Sequence, residues 1–206
     1  MDKIRPLIVM SQTGVTAEEK QAALCGVEEL LDIAGVDLVL MDLDGRHDLE
    51  NADKHVAYAK RQSDKEGQLQ VEHLLSCLIS NSLADKKYQL LIVKEDLYTP
   101  NSNFVIGTAV PGWGTVISTN RFREVNGQER LDCVATEAMH EMGHVFGLPD
   151  KERKDLDYTF GPHCANKCVM RQGMRVPKDW QKFTKDRKRS GPLCETCIGD
   201  VRKYFR

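Results

Sequence analysis

The chain lacks a long apolar run near its amino terminus. The stretch Leu7 to Met10 is followed at once by polar residues. A secretory signal core needs roughly 7 to 15 apolar residues and a membrane-spanning helix about 20, so neither is expected, and a cytoplasmic address is. An excess of charge of either sign is also missing: 29 basic and 31 acidic residues leave a formal net charge of −2. No global field draws the chain to nucleic acid or to an anionic membrane, and neither partner is expected. No internal repeat is visible. A disulfide framework is not indicated either, because seven cysteines is an odd number and 206 residues can bury a full core without covalent staples.

What is present reads as alternating strands and helices. "IRPLIVM" is a first strand, and "TAEEKQAALCGVEELLDI" a helix opened by Thr16 with Glu19 three residues on, a capping-box pattern. "VDLVLMDL" is a second strand. Residues 48–83 read as helical segments broken near Gly67, and "YQLLIVKEDLY" as a third strand. Next, "NFVIGTAV" and "GTVISTNRF" flank "PGWG", which predicts a hairpin at a sheet margin. The pattern predicts an α/β fold, a mostly parallel sheet with an antiparallel edge strand. "LDCVATEAMHEMGHVFG" is a helix with Asp132 as N-cap and Gly147 as terminator. "DKERKDLDY" reads as a charged loop, and residues 171–206 as a basic, solvated face with a short amphipathic patch.

Chemistry concentrates in the helix that ends at Gly147. Residues four apart on a helix stack one turn above another, so His140 and His144 can present two imidazoles to one ion. Glu141 lies about 100° further round, out of ligating position but beside any water that the ion would activate. HExxH is therefore suited to hydrolysing amides: the ion lowers the pKa of water and polarises the carbonyl, and Glu141 accepts the proton. A third protein ligand must follow. Asp150 has the spacing of the third position in HExxHxxGxxH or HExxHxxGxxD, and His163 lies thirteen residues further on. Spacing favours Asp150.

A second cluster comes late in the chain. Cys164, Cys168, Cys194 and Cys197 form two close pairs, the arrangement of a closed, tetrahedral, structural zinc site. Cys25, Cys77 and Cys133 fall within apolar helical patterns and read as small core residues. Two zinc ions are thus expected, one catalytic and one structural.

Taken together, "HEMGHVFGL", "HCANKCVM" and "CETC", with "KEDLYTPNSNFVIGTAV" and "VISTNRF" upstream, resemble the archaemetzincins, a family of metzincin-type zinc peptidases. The resemblance covers most of the stretch from Lys94 to Cys197. It implies a metzincin-like twisted mixed sheet with the active-site helix above a cleft, and a small C-terminal zinc-stabilised subdomain. One domain would span residues 1–206, with an upper α/β part (1–147) and a lower part (148–206). The family's His-Cys adjacency implies His163 as the third zinc ligand, with an insertion between Leu148 and His163. It implies a Met-turn at Met170 and peptide or protein substrates. A different class of function is a catalytically silent, zinc-stabilised peptide-binding or interaction module. The presence of Glu141 favours the enzyme, since binding alone has no need of a carboxylate beside the metal.

Overall fold

The computed structural model describes residues 4–42, 51–80 and 87–206. A five-stranded sheet runs in the order β2 (Leu40–Asp42), β1 (Leu7–Ser11), β4 (Tyr88–Val93), β8 (Gly114–Ser118), β7 (Gly107–Val110). All neighbours are parallel except β7, which runs antiparallel to β8 at the margin. The expected mixed sheet with an antiparallel edge strand is therefore present. Helices cover both faces, which explains why the central strands are buried along their whole length except at Ser11. Leu7, Val9, Leu90, Ile92 and Ile117 pack with α1 (Ala17–Ala34) and α4 (Gly127–Val145). The alternate residues Ile8, Met10, Leu91, Val93 and Val116 pack with α2 (Ala52–Gln62) and α3 (Val71–Ser80).

The start of α1 has the capping box read from its sequence. Thr16 accepts from the Glu19 amide while the Glu19 carboxylate accepts from the Thr16 amide. The other Glu19 oxygen receives Arg130 of α4, so one buried carboxylate both caps a helix and binds it to its neighbour. Mid-helix, Gly26 faces the backbone of α4: a Cβ there would fall inside van der Waals contact with the Ala135 carbonyl. The glycine is required by close approach, at the expense of helix propensity.

Four sequence expectations are revised. The stretch "YQLLIVKEDLY" is two strands, β4 and β5 (Asp96–Thr99), because Ser118 Oγ and Asn120 Nδ2 hydrogen-bond the Glu95 and Lys94 carbonyls and turn the chain between them. β5 joins β3 (Gln68–Gln70) and β6 (Ser102–Val105) in a separate three-stranded sheet, so Asn103–Val105 leaves the hairpin. Asp132 is not the N-cap of α4. That helix starts after Asn126, since "GQER" continues it by more than a turn toward the amino terminus, and Asp132 pairs with Lys188 instead. Within the basic face, α5 (Lys178–Ser190) and α6 (Glu195–Phe205) bury Trp180, Phe183, Cys197 and Val201 in contact with the rest of the core. The ends of the expected 36–43 strand and 48–83 helical region lie outside the described residues. Among the described residues no helix is long and apolar enough to cross a membrane.

The approach at Gly26 gives a stability prediction. Gly26→Ala must push α1 away from a backbone carbonyl that cannot rotate aside, and overpacking of this kind costs about 1 to 3 kcal/mol. Urea unfolding should show a lowered midpoint with an unchanged slope; an unchanged midpoint would show that the helices are free to separate.

Candidate metal centres

Helix α4 ends on a residue able to adopt a left-handed conformation, and the same turn orients a histidine. Gly147 has φ +74, its amide donates to the His144 carbonyl (3.0 Å) and the Leu148 amide to the Gly143 carbonyl (2.9 Å). This pair of bonds is a Schellman termination. It leaves the Leu148 carbonyl 2.7 Å from His144 Nδ1. His140 Nδ1 is likewise 2.8 Å from the Val169 carbonyl, and His163 Nδ1 3.1 Å from the Gly161 carbonyl. A carbonyl cannot donate, so all three Nδ1 atoms carry the proton and all three Nε2 atoms carry a lone pair.

Those lone pairs converge. His144 Nε2 lies 3.2 Å from His140 Nε2 and 3.3 Å from His163 Nε2. In this tautomer the contacts cannot be hydrogen bonds and are repulsive unless a cation lies between them. The residues therefore fit a metal ion. Burial, and then the neighbouring imidazoles, lowers His140 well below its ordinary value and His144 to about 4; burial also lowers His163. Neutral imidazole is the form that ligates.

Asp150 lies elsewhere. Its carboxylate is 2.8 Å from Lys203 Nζ and accepts from the Glu152 amide at 3.0 Å. The structure thus brings His163, and not Asp150, to the two helical histidines. His163 reaches them on β10 (His163–Cys164), which pairs antiparallel with β9 (Leu156–Asp157) inside the segment expected to be only a charged loop.

Glu141 is buried, and its Oε2 has no hydrogen-bond partner among the described residues. Burial, with the charge of Glu137 second, raises its pKa well above the usual carboxylate range. Glu137 itself was not singled out in the sequence, although its i−4 spacing from Glu141 places the two on one helical face. It is fully buried, accepts a hydrogen bond from Trp180 Nε1 at 2.7 Å, and is pushed up to about 8 by burial. Both carboxylates face Gly107 of the edge strand, where a Cβ would come within 2.5 Å of Glu137 Oε1 and 2.6 Å of Glu141 Cγ. Met170 is fully buried, and its sulfur fills the space beside Gly143.

The four late cysteines also meet. Cys164 Sγ is 3.7 Å from Cys194 Sγ and Cys168 Sγ 3.8 Å from Cys197 Sγ, and all four sulfurs lie within 4.8 Å of one another. No pair is at disulfide length. A tetrahedron with zinc–sulfur bonds of about 2.3 Å has sulfur–sulfur edges of about 3.8 Å, so the cluster fits a four-thiolate ion. Cys133 is buried in the core as expected, whereas Cys25 is exposed and Cys77 only half-buried.

Comparison with known proteins gives a consistent result. The family model described as Peptidase family M54 matches residues 52–203. The archaemetzincin of Nanoarchaeum equitans is 36% identical over 110 residues, 53% of this chain and 49% of that protein. The chain spans about half the length of the curated relatives it matches. Among solved structures, the crystal structure of archaemetzincin from Methanopyrus kandleri superposes with a TM-score of 0.67 at 24% identity, covering 98% of this chain and 96% of that one. A zinc-dependent peptidase from Methanocorpusculum labreanum superposes at 0.52 and 21% identity, covering 95% and 98%. These structures show a shared fold. The resemblance carried by "HEMGHVFGL", "HCANKCVM" and "CETC" is borne out: the chain belongs to peptidase family M54.

Proposed function

We propose that the chain is a zinc-dependent peptidase in which His140, His144 and His163 hold a catalytic ion, and Cys164, Cys168, Cys194 and Cys197 a structural one. The observation that carries the reading is the convergence of three Nε2 lone pairs on the helix that bears the buried Glu141. The archaemetzincin and zinc-dependent peptidase names of its relatives support the same metal. Zinc bound there supplies a Lewis acid that makes water a better nucleophile at neutral pH and draws electrons from a peptide carbonyl.

The chain's own residues supply the rest. Glu141 takes the proton from the attacking water as the oxygen–carbon bond forms, and delivers it to the amine nitrogen as the carbon–nitrogen bond breaks. The carbonyls of Val169, Leu148 and Gly161 hold the three imidazoles in one tautomer. Met170 packs beneath His144's turn as the base of the site, the Met-turn of the resemblance. Substrate lies extended along β7, the marginal strand of the five-stranded sheet among the described residues, with backbone pairing giving broad and weak recognition. Gly107 keeps that strand close to both carboxylates.

Glu141→Gln should retain zinc and lose about 10²- to 10⁴-fold in hydrolysis of a diverse peptide library, the usual contribution of a general base. A variant as fast as wild type would remove Glu141 from the mechanism, and a wild type that binds library peptides without cleaving them would replace the enzyme by the binding module. His163→Ala should weaken zinc affinity at the histidine site by orders of magnitude while Asp150→Ala leaves it unchanged, both read by competition with a chromophoric chelator. The reverse pattern would assign the ligand to Asp150.

Glu137 gives a pH prediction. Its folded pKa, about 8, lies above the ordinary value of 4.5, so its contribution is fully present below about pH 4.5 and is lost as pH rises through about 8. Between pH 5 and 8, metal-depleted wild type should lose more stability than Glu137→Gln, which keeps an acceptor for Trp180. The histidines are common to both proteins and cancel in the difference, and the repulsion between the Glu137 and Glu141 carboxylates, present only in wild type, acts in the same direction. Parallel stability–pH curves from urea titrations would show that Glu137 is not held protonated.

A further inference from the structure

One side chain of the insertion touches the cysteine cluster from outside. Arg153 is 8% exposed, and a guanidinium has five N–H donors in a fixed fork. It makes five hydrogen bonds. Nε and Nη2 reach the two oxygens of Asp155 (2.9 and 2.6 Å), and Nη1 reaches Asp200 Oδ2 (2.9 Å). The remaining two go to sulfur: Nη1 to Cys197 Sγ at 3.1 Å and Nη2 to Cys164 Sγ at 3.2 Å. Asp155 also accepts from Asn166 Nδ2 (2.5 Å), which lies 3.7 Å from Cys194 Sγ.

Two consequences follow from charge. Four thiolates around a divalent cation leave the cluster with a net charge of about −2, and a buried negative charge is costly without a partner. Arg153 provides an opposite charge in direct contact with two of the sulfurs. The contact also acts on reactivity, since a lone pair that accepts a charge-assisted hydrogen bond is less available to an electrophile or to a competing metal. Asp155 and Asp200 hold the fork in place. Sequence spacing offers no sign of this arrangement, because Arg153 lies in a run of charges that reads as solvated loop.

We infer that Arg153 is the hydrogen-bond donor and counter-charge of the four-cysteine site, acting from outside the ligand set to hold Cys164 and Cys197 as inert thiolates. It is a positioning residue. The inference rests on the reading of the four cysteines as a metal site, and the two can be tested apart.

The metal-depleted protein is loaded with cobalt(II), and the sulfur-to-cobalt charge-transfer absorption is recorded for wild type, Arg153→Gln and Arg153→Lys. In parallel, zinc release from this site to a chromophoric chelator is timed. Removing N–H donors from sulfur raises the energy of its electrons, so Arg153→Gln should shift the charge-transfer band to longer wavelength and release metal about 10- to 100-fold faster. Arg153→Lys keeps the charge without the fork and should recover part of both effects. A wild type with no four-thiolate cobalt spectrum would overturn the metal site, and Arg153's role with it. A normal wild-type spectrum with unshifted bands in both variants would overturn the role of Arg153 alone. Faster release without a band shift would mean that Arg153 merely packs the loop, which also overturns the inference. If Arg153→Gln does not fold, the Arg153→Lys spectrum decides by the same criterion.

Discussion

Adjacent side chains on a β-strand point to opposite faces, and on β10 this alternation separates two chemistries by a single peptide bond. His163 turns toward His140 and His144, and Cys164 toward Cys194. Neither could be displaced alone. β10 is held on one side by β9, and the Cys164 amide is held by the Met170 carbonyl (2.8 Å) and the Ala165 amide by the Asp155 carbonyl (3.0 Å). The cysteine cluster therefore serves as an anchor for the histidine cluster. A structural ion in the cysteines would hold in register the strand that brings the third imidazole to α4.

The other two imidazoles depend on how α4 ends. A helix must terminate with unsatisfied carbonyls, and Gly147 lets the chain reverse within one residue and satisfy them. The reversal brings the Leu148 carbonyl under His144 and carries the chain away toward the insertion. The hairpin turn is tied to the same place, for the Gly112 amide donates to the Val145 carbonyl (2.7 Å). The edge strand and the helix end are thus fixed relative to one another. Burial does the electrostatic work here: it favours neutral imidazoles, the form that ligates a metal, and raises the proton affinity of the two carboxylates. Glu137 and Glu141 stand one turn apart against Gly107, where a larger residue would displace both.

The segment between Leu148 and His163 looks expendable in sequence, being charged and short of apolar residues. In the fold it has an interior. Arg153 is its buried centre, with Asp155 on its own segment and Asp200 on α6 as partners, and it reaches sulfurs from both cysteine pairs. At a chain length of this order, closing the loop costs only about 1 to 2 kcal/mol of entropy, so a few charge-assisted hydrogen bonds are enough to hold it.

Much of this protein was legible along the chain because the signals are local. Thr16 with Glu19, "PGWG", His140-Glu141-His144 and Gly147 each act within about one turn, where spacing alone sets geometry. The order of strands and helices was legible for the same reason, since each element shows its own periodicity. Where elements break or join was less so: the split of "YQLLIVKEDLY" is made by Ser118 and Asn120, over twenty residues away. The site divides in the same way. His140 and His144 follow from helical pitch, and the close spacing within each cysteine pair suggested a metal. Between His163 and Asp150, spacing favoured Asp150 and the resemblance implied His163; spacing alone could not decide, because both lie beyond the helix, where it no longer sets direction. Tertiary packing decided their placement: Lys203 on α6 takes the Asp150 carboxylate, and β9 returns His163 to the helix. The burial of Glu137 and the five bonds of Arg153 belong to the same class. They depend on which distant surfaces meet, and a side chain acquires a shifted proton affinity or a sulfur partner only once those surfaces exclude water.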